Sequence, residues 1–470
     1  MNTENIIRAH EECPRASVVI VGAGAAGMMT AIVCARVLRD QQSEATVVLV
    51  DGAKKPGAKI LVAGGGRCNV THYAVDEQQY AGSSPGAIRS VLRRFDADAT
   101  VEFFNELGVE LKREDTGKLF PTTDSAQTVL SALTDELDRL GVQRLFPWRV
   151  ASIQRTDSGF LISSNDEQQQ AFEAHRIVLA TGGMALPRTG SDGAGYRFAR
   201  ALGHSITDRV FPSLVPIVVG EQSMWITELS GIATRAALSV TTSSGKLLKS
   251  FTNDTLCTHF GLSGPGPLDV SRYFFDARAD DPSTKLLINW LGASDPSELD
   301  KQLQQLGKKT VLGALRDQLP ERLVRALCAR SGVDPSSPGH TLSKQQRLDL
   351  VRVICATDVD VERDRGFTFA EVTAGGVPMK ELTSKDMRSK KCDDLWMVGE
   401  ILDVDGRIGG FNFQWAWATG YIAGNAIARS ILEDEVRRTK PRRAARTDCP
   451  FAGSPRDPSR DTKRARQGFS

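Results

Sequence analysis

The eight cysteines, Cys13, Cys34, Cys68, Cys257, Cys328, Cys355, Cys392 and Cys449, are scattered, and no two of them form a Cys-x-x-Cys pair. That absence argues against a zinc site, a redox dithiol and a disulfide framework, and leads to the expectation of reduced thiols in a cytoplasmic protein. No stretch approaches the ~20 consecutive apolar residues of a membrane span. The first fifteen residues are polar, with His10, Glu11, Glu12 and Pro14, and lack the apolar centre of a signal peptide. Net charge is small too: 59 Lys and Arg against 57 Asp and Glu leave +2 over 470 residues. The chain as a whole therefore does not read as a nucleic-acid or membrane-surface protein. Imbalance is confined to the end, where eleven Lys and Arg face three Asp between Arg437 and Ser470, among four prolines and few aliphatics. Such a segment cannot offset its ordering entropy by burial, so a solvated, disordered tail is expected.

What the sequence does have is a buried-strand run, Val18-Val19-Ile20-Val21, leading into Gly22-Ala23-Gly24-Ala25-Ala26-Gly27 and a helix to about Leu38. Gly22 allows a tight turn, Gly24 lets backbone approach a pyrophosphate, and Gly27 lets helix and strand pack closely. Phosphates would sit on the unpaired N–H groups at the helix start. A second apolar strand, Thr46–Val50, ends at Asp51, an acid placed to bind ribose hydroxyls. Two later loops repeat the strand-then-glycine pattern: Thr181-Gly182-Gly183 and Gly399-Glu400. The latter leads to Gly409-Gly410-Phe411-Asn412 and a second helix start, to about Leu432. Its N–H groups and positive dipole end suit the negative charge of a reduced isoalloxazine and have no comparable role toward nicotinamide, which favours FAD.

Between these loops, the pattern predicts a loop over 57–69, helices over 85–107 and 125–140, and strands over 149–153, 160–163 and 176–180. Residues 202–268 are β-rich, and 297–353 carry leucines at helical spacing interrupted by Pro320. This β-then-helix stretch reads as an insertion. Strands are expected again at 367–372 and 395–398.

The segments Gly22–Met28, Ala63–Thr71, Leu119–Ser125, Ala180–Gly183, Thr258–Pro265, Ala374–Val377 and, most extensively, Gly399–Trp417 resemble the BaiN/YhiN-like family of flavoproteins, the HI0933-like group of NAD(P)/FAD-dependent oxidoreductases. The resemblance runs from Val18 to Ala428. It implies an α/β protein: a Rossmann-like FAD-binding domain interrupted by a β-barrel and a helical region. The expected organisation is a flexible N-terminus (1–15), an opening segment of the FAD-binding domain (16–200), the insert (201–365), the closing segment of the FAD-binding domain (366–432) and the basic tail (433–470). It also implies cofactor roles for Gly22, Ala23, Gly24, Ala25, Ala26, Gly27 and Asp51, where many members carry Glu. Further roles fall to Lys59, Gly65, Arg67, Cys68, Asn69, Val150, Thr181, Gly182 and Gly183, and to Gly399, Glu400, Asp405, Gly410, Phe411 and Asn412. His72 stands where the family pattern usually reads Asn.

Candidate catalytic groups are few. Cys68 follows a cation that would favour its thiolate, and His259 sits in a turn at the insert and could carry a proton. Beside these stand plainer readings, a small buried hydrophobe and a junction hydrogen bond. Trp415 and Trp417 lie two apart on a helix and face different ways, so at least one is expected in the core. Arg67 and Arg188 could meet a carboxylate or a 2′-phosphate, with solvation as the default for each. The expected function is FAD-dependent hydride transfer through flavin N5 to or from a small organic substrate, of enone type, with no metal. No second strand–turn–helix fingerprint is found, so NAD(P)H is expected only as a transient donor docking over the flavin. Neither membrane nor nucleic acid is an expected partner. The alternative is a flavin-binding protein with a regulatory or RNA-associated role through its basic tail.

Overall fold

The computed structural model describes residues 15–166 and 168–439. Strand β1 (Arg15–Val21) is almost wholly buried, as its uninterrupted Val/Ile run requires of a strand covered on both faces. It feeds helix α1 (Ala25–Asp40), then β2 (Val47–Val50). Helix α2 (Ala58–Gly66) stands where a loop was expected. Its backbone leaves helical geometry at Ala63, Gly64 and Gly65, so the glycine-rich half behaves as the loop and only its first turns are helical. There follow β3 (Gln143–Leu145), β4 (Phe172–Leu179), β5 (Phe211–Ser213), α3 (Pro265–Asp280), β6 (Val372–Ala374), β7 (Leu395–Met397) and α4 (Phe411–Thr439).

The parallel core of a nine-stranded sheet runs β7–β4–β1–β2–β3. Val19 lies opposite Ile177 on one side and Val48 on the other, which places β1 at the centre. Helices α1 and α4 cross closely because α4 offers glycines at the contact. A Cβ on Gly420 would stand 2.7 Å from the Ala26 carbonyl oxygen, and one on Gly424 2.8 Å from that of Thr30. The end of α4 is tied down by Arg176, which bonds Ser430 and Asp434. Residues 433–439, expected to begin the tail, are consequently helical. The rest of the tail and residues 1–14 lie outside the described residues.

Between β4 and β7 the chain builds a second body around a seven-stranded antiparallel sheet. The strands at its two edges, Thr357–Val359 and Val361–Asp364, are separated by Asp360 alone. One residue cannot cross a flat sheet of seven strands, so the sheet curls until its edges meet and forms the inserted barrel that the resemblance implied. Helices Pro296–Gln304, Val311–Leu315, Glu321–Ser331 and Lys344–Cys355 pack on it. Trp290, Leu323, Leu327 and Ile354 belong to an apolar cluster distinct from that of the parallel sheet. At the neck, β5 pairs antiparallel with β6, Phe211 opposite Ala374.

Two local expectations change. The helix over 85–107 is two helices, Pro85–Leu92 and Ala97–Glu106, because Asp96 caps the second by accepting from the Ala99 N–H. The strand expected over 367–372 begins only at Val372, the residues before it forming a turn closed by Phe369 N–H to Gly366 O. No helix among the described residues is long and apolar enough to cross a membrane.

Candidate functional site

The carboxyl ends of β1, β2, β4 and β7 open onto one cavity of about 1030 Å³, the usual ligand position in a doubly wound sheet. The β1–α1 turn forms its floor. Gly22 has φ +108°, and a Cβ there would lie 2.4 Å from the Ala180 carbonyl oxygen. At Gly27 a Cβ would lie 1.9 Å from the Gly22 carbonyl oxygen, whereas at Gly24 it would meet nothing within 4 Å. Two glycines are therefore demanded by packing and the third leaves space in the cavity. Helix α1 has no side-chain cap and no acid in its first turn, so its leading N–H groups remain for an anion. Asp51 braces the turn, accepting from the Ala23 N–H through Oδ2 and the Ala53 N–H through Oδ1, each at 2.7 Å. Each oxygen retains acceptor capacity toward the cavity.

Further along, Thr181 and Asn69 line the wall, and their buried Oγ1 and Oδ1 atoms have no hydrogen-bond partner among the described residues. Buried polar atoms without partners are rare in folded proteins, and these two belong to residues that line the cavity. Space at Gly24 and Gly65, these orphaned atoms and the uncapped start of α1 together fit an elongated dinucleotide. Lys59 Nζ pairs with Glu400 Oε2 at 2.7 Å, and Glu400 Oε1 accepts from the Thr373 N–H at 3.0 Å. Arg67 pairs with Glu114 at 2.7 Å and lies over the Phe120 ring.

Of the expected cofactor residues, Gly22, Ala23, Gly24, Ala25, Ala26, Asp51, Lys59, Gly65, Arg67, Asn69, Val150, Thr181, Gly182, Gly399, Glu400, Gly410 and Asn412 line this cavity. Gly27, Cys68, Gly183, Asp405 and Phe411 do not. Gly183 packs under Thr373, and Phe411 stacks on His72 with ring centroids 4.9 Å apart. Asp405 turns into the neck, bonding Ser213 and pairing with Arg272 of α3 at 3.3 Å. Cys68 is fully buried, and burial pushes its thiol up to about 12, opposite to the thiolate that catalysis would need. His259 is exposed at the turn between strands Leu247–Thr258 and Gly261–Ser263, off the cavity. Trp415 lines the cavity and donates to the Gly399 carbonyl, while Trp417 is core and donates to that of Val70.

Sequence reasoning missed the wall nearest the insert: Leu214, Phe369, Val372 and Ile408 as an apolar surface, with Lys118, Glu371 and Arg407. Arg407 is fixed by Asp269 of α3 at 3.0 Å. These residues come from segments far apart in the chain, and Glu371 was hidden inside an expected strand. Among the described residues no cluster could hold a metal.

Comparison with known proteins gives a match of residues 16–426 to the family described as "HI0933-like protein Rossmann domain". A 3-dehydro-bile acid delta(4,6)-reductase of Clostridium scindens is 34% identical over 87% of this chain and 98% of its own. A ribosomal RNA dihydrouridine synthase of Escherichia coli is 32% identical over 87% of this chain and 96% of its own. Among solved structures, 3-ketosteroid delta1-dehydrogenase of Sterolibacterium denitrificans superimposes with a TM-score of 0.47 at 13% identity, covering 88% of this chain and 100% of that one.

Proposed function

As the chain belongs to the HI0933-like family, we propose that it is an FAD-dependent oxidoreductase that saturates a carbon–carbon double bond conjugated to a carbonyl. The observation that carries this reading is one cavity lined both by the glycine turn before α1 and by an apolar wall bearing Lys118 and Glu371. The names of the two relatives agree on the bond and differ on the molecule. A delta(4,6)-reductase of a 3-keto steroid and a synthase of dihydrouridine each add hydrogen across such a bond.

In this reading the N-terminus of α1 and the Gly22–Ala26 backbone hold the pyrophosphate, Asp51 the ribose hydroxyls, and Trp148 and Val150 the adenine. Thr181 Oγ1 and Asn69 Oδ1 find their partners on the remainder of the cofactor. The N-terminus of α4 and the Gly410 backbone face the ring end, where they favour accumulated negative charge. When bound, FAD supplies two-electron chemistry as a hydride carrier. Leu214, Phe369, Val372 and Ile408 exclude water and position a flat, apolar acceptor. NAD(P)H docks over the same wall and leaves before the acceptor enters.

The purified protein is expected to show the visible spectrum of an oxidised flavin, which bleaches on anaerobic mixing with NADPH or NADH. The reduced form is expected to recover its absorbance when given a steroid-like enone or a uridine-containing RNA, and which acceptor works fixes the substrate class. A flavin that neither nicotinamide bleaches removes that donor. A reduced flavin that no such acceptor re-oxidises defeats the reading in favour of a non-catalytic flavoprotein.

A further inference from the structure

We propose that Glu371 is the proton donor of this reduction, and that Lys118 stabilises the charge that develops on the substrate carbonyl oxygen. The inference rests on the reading above and adds the residues that complete it. Saturating a conjugated double bond needs a hydride at the carbon β to the carbonyl and a proton at the carbon α to it. The hydride comes from the reduced cofactor, which is oxidised by two electrons; the protein must supply the proton. Glu371 sits one residue before β6, at the neck between barrel and parallel sheet, and its N–H donates to the Leu214 carbonyl at 3.2 Å. Two residues on, Thr373 Oγ1 accepts from the Met184 and Ala185 N–H groups and anchors the segment; Glu371 itself is exposed and lines the cavity.

Its carboxyl has no hydrogen bond or ion pair among the described residues, although charged groups surround it. They are Lys118 from the strand Lys118–Pro121, Asp269 from α3 and Lys59 from α2. Asp269 is held by Arg407, and Lys59 by Glu400. Lys118 is therefore the nearby cation with no carboxylate of its own among the described residues. An unpaired carboxyl and an unpaired ammonium, set beside the apolar surface of Leu214, Phe369, Val372 and Ile408, are what a conjugated carbonyl needs from a protein. Desolvation by the wall, helped by Asp269, raises the Glu371 carboxyl above its ordinary value against the pull of Lys118 and Lys59, while the residue stays exposed on the cavity. The other titratable candidates do not reach this wall, since Cys68 is sealed in the core and His259 lies outside.

The test uses the full chain with its flavin and the best acceptor from the screen. Glu371→Gln is expected to keep the flavin spectrum and its bleaching by the nicotinamide donor within about twofold. Its re-oxidation by acceptor should fall by on the order of 100-fold or more. The wild-type rate should decline as pH rises through the Glu371 titration. Lys118→Gln, which leaves Glu371 in place, should move that decline to higher pH by removing the cation that lowers it. Infrared pH-difference spectra of the resting protein supply a readout independent of turnover: a protonated-carboxyl band titrating above the ordinary glutamate range and missing from the Glu371→Gln variant. Unchanged re-oxidation in Glu371→Gln, an unmoved pH limb in Lys118→Gln, or no difference band overturns the assignment. In each of these cases wild-type turnover still upholds the reductase reading, whereas a wild type that no acceptor re-oxidises fails that reading first.

Discussion

At the scale of single residues, the glycines of the β1–α1 turn have different jobs, and the difference can be measured. Gly22→Ala forces a side chain onto φ +108° and against the Ala180 carbonyl. It should cost about 1–3 kcal/mol of stability or more, seen as a lowered melting temperature even without cofactor. Gly24 has φ −85° and open space around its missing Cβ. Gly24→Ala should therefore leave the apoprotein within about 0.5 kcal/mol of wild type, yet weaken flavin retention at least tenfold by filling space the pyrophosphate needs. Equal effects of the two substitutions on apoprotein melting would show that Gly24 also serves packing. The packing demands on Gly22 and Gly27 were legible in the sequence from the spacing of the turn. The fate of Asp405 was not: motif position put it beside the cofactor, while the buried Arg272 guanidinium, brought from the insert, draws it away.

At the scale of elements, α1 and α4 lie together although nearly 400 residues separate their sequences. Gly424→Ala should destabilise the protein by about 1–3 kcal/mol, because its Cβ meets the backbone carbonyl of Thr30, which cannot swing aside. Denaturant unfolding of the variant measures the loss, and a midpoint unchanged from wild type would contradict the crossing as described. Both helices were recognisable from their glycine-marked starts and apolar runs. The end of α4 was misplaced because Arg437 and Arg438 resemble a tail by composition, whereas Arg176, buried on β4, captures Ser430 and Asp434 just before them. Helix α2 escaped notice since a run of three glycines reads as loop, and its regular turns depend on packing of Ile60. The insert-side wall was illegible for a plainer reason: Leu214, Lys118, Glu371 and Ile408 share no sequence neighbourhood, and only the fold makes them adjacent.

For the whole molecule, the neck between barrel and parallel sheet is held by a largely buried charge cluster. Arg272 of α3, largely buried, pairs with Asp276 at 2.7 Å and with Asp405 at 3.3 Å. Burial raises the Asp405 carboxyl, and Arg272 opposes that rise. Arg272→Met would strand Asp405 in the interior at a cost on the order of 3–5 kcal/mol. Its clearest sign should be faster amide exchange in β5, β6 and the start of α4 than in β1 and β2; uniform exchange across both bodies would show that the neck does not depend on this pair. The strand order carries one more implication, for the time when the chain is being made. β4 emerges early and finds β1, but the Ile177–Leu179 edge is paired by Leu395–Met397, more than two hundred residues later. At ~5–20 residues per second that edge stays bare for roughly 10–40 s while the barrel and its helices emerge. During synthesis the insert can complete itself on local pairings, whereas the nucleotide-binding half must wait for its last strand, exposed to mispairing until nearly the whole chain exists.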